Sequence, residues 1–210
     1  MEMDNMRDTL TLTEDLFIGA GGHQATYIHP IDATKCIKIP HDPNDGDVKK
    51  ELRYRRICNK KLENSKLVTK YFGFINTDKG LGHVFERVLD LNGQTSKDLK
   101  DFLPTKNPSA SELETIKKLL MDFKTDYLRE KIAIVDTDIT NFMVQEISPN
   151  EYQMRIVDNI GTPVAIPLVY YFDFAATWKS RRYWNYLVDW LYRHYPNIID
   201  ENFCTELKAK

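Results

Sequence analysis

The chain has 210 residues, a size that fits one folded domain and leaves little room for a second independent core. Its 29 basic and 31 acidic residues give a formal net charge of -2, which argues against general electrostatic binding to nucleic acid. Three widely separated cysteines predict neither a disulfide framework nor a metal cluster, and no stretch is apolar enough to span a membrane. These features predict a soluble, cytoplasmic protein with reduced thiols.

The first third of the sequence has the alternating pattern of β-strands. A predicted strand over 10–18 runs into a glycine cluster, and a second follows at 25–28, so that the two form a glycine-tipped hairpin. A third strand is predicted over 36–39. Because successive side chains of a strand point to opposite faces, Lys38 should lie on the face opposite its two isoleucine neighbours.

A helix is predicted to begin at Asp47, a good N-cap residue, after the loop HDPNDGD. Helical spacing puts Glu51 within an apolar stripe, where a carboxylate needs a partner, and Lys38 on the neighbouring strand is the predicted partner. The basic residues of 49–56 allow a nucleic-acid interpretation as well. A solvated helix surface is the favoured interpretation of that run.

Strands over 67–75 and 81–89 complete a small N-terminal lobe of five strands and one helix. The hydrophobic period then changes in NGQTSKDLKDF, which predicts a linker and a short helix between two lobes. From Ser111 to about Lys131 apolar residues recur at helical spacing, which predicts a long amphipathic helix.

Two short strands, 142–146 and 153–157, form a predicted hairpin after that helix, with Asn141 and Asp158 at its outer ends. The spacing of Asp136 and Asn141 can present a carboxylate to a substrate hydroxyl and an amide oxygen to a metal ion from one tight loop. Asp158 precedes Asn-Ile-Gly, and a carboxylate beside a glycine that permits a sharp bend suits a hard divalent cation. Taken singly, each of these residues is explained as well by a turn or a cap.

The order of four short motifs favours a common interpretation of these residues. IGAGGH, CIKI, DITNFMV and IVDNIG follow one another in the order of a kinase-like phosphotransferase. Gly19, Gly21 and Gly22 allow backbone N–H groups to approach phosphate oxygens, although a plain hairpin turn explains them too. Lys38 would reach the phosphates from the neighbouring strand. His23 would contact a phosphate or, more simply, stabilise the turn.

The chain resembles the PhoP regulatory network protein YrbL family, a bacterial branch of the protein-kinase-like fold. The resemblance covers about 14–170, and IGAGGHQATYIHPIDATKCIKI, KKELRYRR, the catalytic-loop region and IVDNIG carry it. It implies an α+β, two-lobed fold with a truncated C-terminal lobe, all within one domain over 1–210. The implied N-lobe is about 10–89, the hinge about 85–93 and the reduced C-lobe about 94–210.

The resemblance also implies a role for each site residue. The implied phosphate-binding positions are the loop glycines Gly19 and Gly21, with Gln24 in place of the third glycine. Lys38 and its helix partner Glu51 are implied to hold the phosphates. Phe85 is the implied gatekeeper, and the backbone of Glu86 and Val88 is implied to contact the adenine. Asp136 matches the aspartate that orients the acceptor hydroxyl. Asn141 and Asp158 match the two metal ligands, so ATP and Mg²⁺ are the implied cofactors.

Two departures from the kinase pattern bear on substrate and regulation. Ile134 and Val135 stand where kinases have His-Arg, so control by a phosphorylated activation loop is not expected. Only 49 residues follow Gly161, too few for the helices that hold protein substrates in ordinary kinases. The implied acceptor is a hydroxyl of a small molecule, sugar or glycolipid head group. A nucleotide-binding pseudokinase acting as a regulatory interaction module is the alternative.

The C-terminal segment TWKSRRYWNYLVDWLYRHYPN contains all three tryptophans. Trp184 shares a helical face with Leu187 and Leu191, which favours a helix packed on the core, whereas Tyr186 and Trp190 lie off that face. Aromatic and basic residues together also fit peripheral association with a lipid surface or a partner. Neither nucleic-acid binding nor a particular oligomeric state is predicted.

Overall fold

The computed structural model describes residues 9–104, 106–162 and 168–209. Over these ranges the protein has two antiparallel sheets and six α-helices, which confirms the α+β class predicted from the sequence. No helix in the same ranges combines the length and the apolar character that crossing a bilayer requires.

The larger sheet has five strands in the order β1-β2-β3-β5-β4. These strands are β1 (Phe17–Ala20), β2 (Gln24–Ile28), β3 (Lys35–Pro40), β4 (Tyr71–Thr77) and β5 (Gly80–Glu86). Strands β1 and β2 form one hairpin and β4 and β5 another, while β3 pairs with both β2 and β5 at the centre of the sheet. The central position of β3 explains why its side chains are buried on both faces.

The first predicted strand, 10–18, is wrong in its extent. Strand β1 begins only at Phe17, after a 3₁₀ turn at Glu14–Leu16. The preceding segment instead runs beside the end of β4, where Leu10 forms a parallel bridge with Thr77. There it buries Leu12 in a small apolar cluster, and this tertiary burial outweighs the local alternating pattern.

Helix α1 (Gly46–Ile57) begins earlier than predicted, because its N-cap is Asp45 and not Asp47. The Asp45 carboxylate accepts hydrogen bonds from the N–H groups of Asp47 and Val48, which satisfies donors that the first helical turn leaves free. A short helix, α2 (Asn59–Glu63), follows and was not predicted.

The smaller sheet contains β6 (Lys97–Asp98), β7 (Phe142–Ser148) and β8 (Glu151–Ile156), in that order. Helix α3 (Leu99–Phe102) follows β6 directly, and the long helix α4 (Ala110–Glu130) follows α3. Ser109 and Glu112 form a capping box at the start of α4, and Lys131 ends the helix in the left-handed conformation. The predicted amphipathic helix and the predicted hairpin of β7 and β8 are both confirmed.

Helices α5 (Asp173–His194) and α6 (Glu201–Leu207) complete the described fold. Trp184, Leu187 and Leu191 of α5 are buried, which confirms the predicted packing of this face on the core. Trp178 and Tyr186 lie on the solvent side of the same helix.

Buried apolar side chains form two clusters. The smaller one consists of Leu12, Tyr27, Ile37, Ile39 and Val84. The larger one is built from α1, α4, α5, α6 and the hairpin of β7 and β8. The residues predicted to do chemistry lie where the five-stranded sheet meets the loops at the ends of that hairpin.

Candidate functional site

Lys38 links the larger sheet to the end of β8. Its side chain points away from Ile37 and Ile39, which are both in the smaller cluster, so the predicted alternation is confirmed. Lys38 is only 6% exposed, and its Nζ donates a hydrogen bond of 2.8 Å to the carbonyl oxygen of Val157. The same Nζ lies 3.4 Å from Oδ2 of Asp158. A buried ammonium group is therefore fixed directly beside the carboxylate predicted to bind a metal ion.

Asp158 contacts several separate parts of the chain. Besides Lys38, the amide Nε2 of Gln24 donates to Oδ2 at 2.6 Å and the backbone N–H of Asn159 donates to Oδ1 at 2.9 Å. Burial alone would raise the pKa of Asp158, but the Lys38 ammonium and hydrogen bonds that include one from Glu51 lower it below its usual value. The carboxylate is thus held ionised at neutral pH.

Asp136 and Asn141 also contact each other. Nδ2 of Asn141 donates to Oδ1 of Asp136 at 2.8 Å, and Nδ2 of Asn159 donates to Oδ2 of Asp136 at 3.0 Å. Partial burial raises the pKa of Asp136, although its side chain still faces solvent. Because Asn159 adjoins Asp158, one residue ties the predicted acceptor-orienting aspartate to the predicted metal ligand.

Backbone pairing keeps these two segments together. The N–H of Val135 donates to the carbonyl of Asn159, and the N–H of Gly161 donates to the carbonyl of Ala133, both at 2.7 Å. Asn159 has φ +57° and Gly161 has φ +118°. The sharp bend predicted beside Asp158 is therefore present, and it is held by a short antiparallel bridge between Ile134 and Ile160.

Glu51 does not form the predicted ion pair with Lys38. Among the described residues, Glu51 instead pairs with Arg55 at 2.8 Å, and Lys38 pairs with Asp158. Arg55 also donates to the carbonyl of Thr69 at 2.8 Å and lies over the ring of Phe85. Arg55 is buried, so the basic run 49–56 is not a uniformly solvated surface. Helical spacing places Arg55 four residues after Glu51, and this local pairing satisfies the buried carboxylate first.

Burial raises the pKa of Glu51 to about 7, an increase that Arg55 opposes and the nearby Asp158 carboxylate reinforces. The protonated form of the Glu51 carboxyl group can therefore donate a hydrogen bond to the ionised Asp158 carboxylate. Two carboxyl groups that share one proton avoid placing two negative charges side by side.

Replacing Glu51 with glutamine is expected to remove a pH dependence of stability. Folding raises the pKa of Glu51 from 4.5 to about 7, so its stabilising contribution is present below pH 4.5 and lost as pH rises through 7. The free energy of unfolding of the parent protein should therefore fall across this window by up to about 3 kcal/mol relative to Glu51→Gln. Urea unfolding on both sides of the window, with EDTA present, measures the difference.

The exposed Glu63→Gln variant of α2 is the matched control, and its stability should follow that of the parent protein at every pH. A Glu51→Gln variant that also followed the parent protein would contradict the assigned pKa of Glu51.

The glycine-tipped hairpin lies next to this cluster through Gln24, the first residue of β2. None of Gly19, Gly21 and Gly22 has φ in the left-handed region, and a Cβ added to any of them would meet nothing within 4 Å. Neither backbone conformation nor packing among the described residues therefore requires glycine here. Open space around the tip is what a backbone phosphate cradle needs.

Two histidines fasten the hairpin tip. Nδ1 of His23 lies 2.7 Å from a carboxylate oxygen of Asp45, the N-cap of α1, and this contact raises the pKa of His23. Nε2 of His41 lies 3.0 Å from the carbonyl oxygen of Gly21. His23 and Asp45 form a group with Asp47 whose potential ligand atoms lie within 4.8 Å of one another. Its members already pair with each other and cap α1, as the simpler interpretation of His23 predicts.

The predicted adenine-contacting segment begins at Glu86, the last residue of β5. The Sγ of Cys36 donates to the carbonyl oxygen of Glu86 at 3.9 Å. Cys36 lies on the same face of β3 as Lys38. The carbonyl of Val88 accepts a hydrogen bond of 3.0 Å from the N–H of Ser96, so recognition at Val88 would fall to its own N–H group. The Glu86 side chain pairs with Arg155 at 2.9 Å, which leaves only the Glu86 backbone for base recognition.

The donor atoms of the site suit Mg²⁺. Asn141 uses its Nδ2 to bind Asp136, which leaves its amide oxygen as the ligand atom, and Oδ1 of Asp158 accepts a hydrogen bond from the backbone N–H of Asn159. An amide oxygen and an ionised carboxylate are hard ligands of the kind that Mg²⁺ prefers, with waters and phosphate oxygens completing its shell.

Sequence reasoning did not anticipate three participants. Gln24 is predicted only to replace a glycine, Asn159 has no predicted role, and Arg55 is not predicted to pair with Glu51, although the two share one helical face. A signal existed for Asn159, since asparagine before a glycine is favoured at a left-handed position. No local signal pairs Gln24 with Asp158, because 134 residues separate them.

Comparison with known proteins covers all of these residues. The family model described as PhoP regulatory network protein YrbL matches residues 10–191. The chain is 28% identical over 178 residues to the uncharacterized protein YrbL of Escherichia coli (strain K12) and to that of Shigella flexneri. Each alignment covers 83% of this chain and 84% of the relative. The matched region includes every residue of the site.

Proposed function

Given that the chain belongs to the PhoP regulatory network protein YrbL family, we propose that it is an ATP- and Mg²⁺-dependent phosphotransferase acting on a non-peptide hydroxyl. The family predicted from the sequence motifs is thereby confirmed. The kinase-like chemistry is our proposal, and it is argued from the geometry of the site.

One observation carries the proposal. Lys38 of β3, the Asp158–Asn159 pair after β8 and the Asp136–Asn141 loop before β7 form one connected hydrogen-bonded cluster. A buried cation, two metal-binding oxygen donors and an exposed carboxylate are the groups that phosphoryl transfer requires. Simple turn and cap residues would have no reason to converge from such distant parts of the chain.

The proposal includes a kinase-like, two-lobed arrangement. The five-stranded sheet with α1 would form the N-terminal lobe, and the larger apolar cluster would form the centre of the C-terminal lobe. Residues 87–96, between β5 and β6, would then be the hinge. ATP would lie in the cleft, with its phosphates beside Lys38 and the open tip of the glycine hairpin.

Each side chain has a distinct task in the proposed reaction. Lys38 would hold the phosphates by its positive charge, and Asn141 and Asp158 would hold Mg²⁺, which neutralises phosphate charge when bound. Asp136 would accept the proton of the acceptor hydroxyl as that oxygen attacks the γ-phosphorus. The bond from the γ-phosphorus to the bridging oxygen then breaks, and ADP carries away its electron pair.

The accessibility of Asp136 favours a small or flexible acceptor. Its carboxylate faces solvent, and only residues 162–172 connect the bend at Gly161 to α5. So short a connection leaves little chain to support an extended peptide. A small molecule, a sugar or a glycolipid head group is therefore the proposed acceptor class.

A thermal shift with ATP and Mg²⁺ tests nucleotide binding. Ligand at 100 times its dissociation constant should stabilise the protein by about 2.7 kcal/mol. Lys38→Met should lose most of this ligand-induced shift, because it removes the charge beside Asp158. Lys35→Met is the matched control on the same strand, since Lys35 pairs with Asp32 away from the site and should leave the shift intact.

The regulatory family description, together with Ile134 and Val135 in place of a kinase His-Arg pair, supports one alternative. A pseudokinase would show the shift with ATP and Mg²⁺ without transferring phosphate to any fraction of an Escherichia coli extract. A protein that shows no shift with any nucleotide would contradict both the enzyme and the nucleotide-binding alternative.

A further inference from the structure

Large aromatic side chains are exposed together on α5 and the turn before it. Their exposed fractions are 64% for Tyr171, 49% for Phe172, 70% for Phe174, 60% for Trp178 and 45% for Tyr186. An exposed group of this size is unusual, because burying apolar surface is the main force that drives folding. The packing of α5 on the core does not account for it, since the opposite face of the helix supplies the buried residues.

The members of this aromatic face follow the helical repeat. Phe174, Trp178, Arg182 and Tyr186 are four residues apart and therefore share one side of α5. The Arg182 guanidinium lies 5.1 Å from the Trp178 ring and 5.3 Å from the Tyr186 ring. Neither Arg182 nor the exposed Arg181 forms an ion pair with a carboxylate in the described part of the chain. Their charges are thus available to an anionic partner.

A basic cleft adjoins the aromatic face. It has a volume of about 500 Å³, and its basic residues are Lys60, Lys61, Lys66, Arg129 and Lys131. Within the described ranges Lys60, Lys61 and Lys66 form no ion pair, and the Lys61 ammonium donates only to the carbonyl of Lys131. The acidic residues of the cleft are Glu130 and Asp173, so its formal charge stays positive on a chain whose net charge is -2.

Asp173 joins the two surfaces. It lines the basic cleft, pairs with Lys131 and lies between Phe172 and Phe174 in the sequence. The exposed aromatic rings therefore adjoin a cleft whose Lys60, Lys61 and Lys66 form no ion pair within the described ranges.

We propose that this combined surface, the aromatic face of α5 with the basic cleft, docks the protein onto an anionic lipid membrane. Aromatic side chains with polar tips prefer the boundary between head groups and hydrocarbon, and lysine and arginine attract lipid phosphates. The proposal goes beyond the proposed phosphotransfer and rests on separate residues.

Two other occupants fit less well. Single-stranded nucleic acid stacks bases on free aromatic faces, but the Arg182 guanidinium already occupies one face of the Trp178 ring and one face of the Tyr186 ring. A second copy of the chain would bring two surfaces of the same positive charge together across a two-fold axis, which is unfavourable.

Co-sedimentation with vesicles tests the proposal. The full-length protein should bind vesicles of equal parts phosphatidylcholine and phosphatidylglycerol, and it should bind vesicles of phosphatidylcholine alone much more weakly. High salt should release it, because screening weakens the attraction between lysines and lipid phosphates. Phe174→Ala with Trp178→Ala should weaken binding at least about ten-fold. Lys60→Gln with Lys66→Gln should weaken it about 25-fold, at roughly five-fold per lysine.

Two matched pairs serve as controls. Phe72→Ala with Phe74→Ala removes exposed aromatic rings from β4, and Lys97→Gln with Lys100→Gln removes exposed charges near α3. Both control proteins should bind like the parent. The proposal is overturned if the parent protein does not bind anionic vesicles or if the control variants lose vesicle binding equally. It is also overturned if Phe174→Ala with Trp178→Ala instead abolishes dimer formation or RNA binding. ATP binding is measured separately, so failure here leaves the phosphotransferase proposal standing.

Discussion

Replacing Asp136 with asparagine is expected to lower phosphate transfer by about 10²- to 10⁴-fold, which is the usual contribution of a positioned general base. Asparagine cannot accept the proton of an acceptor hydroxyl at neutral pH. It keeps the size of the side chain and can still accept the hydrogen bond that Asn141 donates to Oδ1 of Asp136. ATP and Mg²⁺ should therefore bind nearly as tightly to the variant, because Lys38 and Asp158 remain in place.

The measurement is transfer of label from radiolabelled ATP to fractionated small molecules, glycans and lipids of Escherichia coli, with thermal shift as the readout of nucleotide binding. Asp138→Asn is the matched control, since Asp138 is exposed in the same loop and caps the 3₁₀ turn at Ile139–Asn141. Its transfer rate should stay close to that of the parent protein. Equal rates for Asp136→Asn and the parent would refute the role assigned to Asp136.

Replacing Arg55 with methionine is expected to destabilise the protein by about 3–5 kcal/mol, the usual effect of removing one partner of a buried ion pair. Arg55 is 5% exposed, and its guanidinium satisfies both Glu51 and the carbonyl of Thr69. Methionine fills much of the same volume but leaves both acceptors without that donor. The loss should be larger above pH 7, where more of Glu51 is ionised.

Urea unfolding measures the effect, and Arg56→Met is the control because Arg56 is exposed at the next position of α1. That control should change stability by less than about 0.5 kcal/mol. The double variant Arg55→Met with Glu51→Gln should lose less stability than the sum of the two single changes. Arg55→Met leaves the buried Glu51 charge without its partner, and Glu51→Gln removes that charge. A strictly additive result would show that Glu51 and Arg55 do not depend on each other.

The order of motifs along the chain was enough to predict that Lys38, Asp136, Asn141 and Asp158 lie close together. Lys38 faces the site because strand side chains alternate, and this alternation depends only on neighbours in the sequence. Asn141 and Asp158 flank one hairpin because the polar turn between β7 and β8 brings the ends of that hairpin together. The packing face of α5 follows from helical spacing in the same way.

The partners of the charged groups could not be predicted in this way. The position of Glu51 in an apolar stripe predicts Lys38 as its partner, yet Arg55 on the same helix pairs with Glu51, and Lys38 pairs with Asp158. The N-cap of α1 is Asp45 and not the predicted Asp47, because the Asp45 carboxylate also contacts His23 in the glycine hairpin. In each case two or more local partners were available, and packing selected among them.

The sequence by itself determined the α+β class and most strand and helix positions, because periodicity and turn chemistry act over a few residues. Only the tertiary structure decided that Gln24 and Asn159 bind the two aspartates and that α5 keeps an aromatic face in solvent beside unpaired lysines. The physical reason is that ion pairs and exposure depend on distances in space between segments far apart in the chain. Spacing along the sequence does not contain those distances.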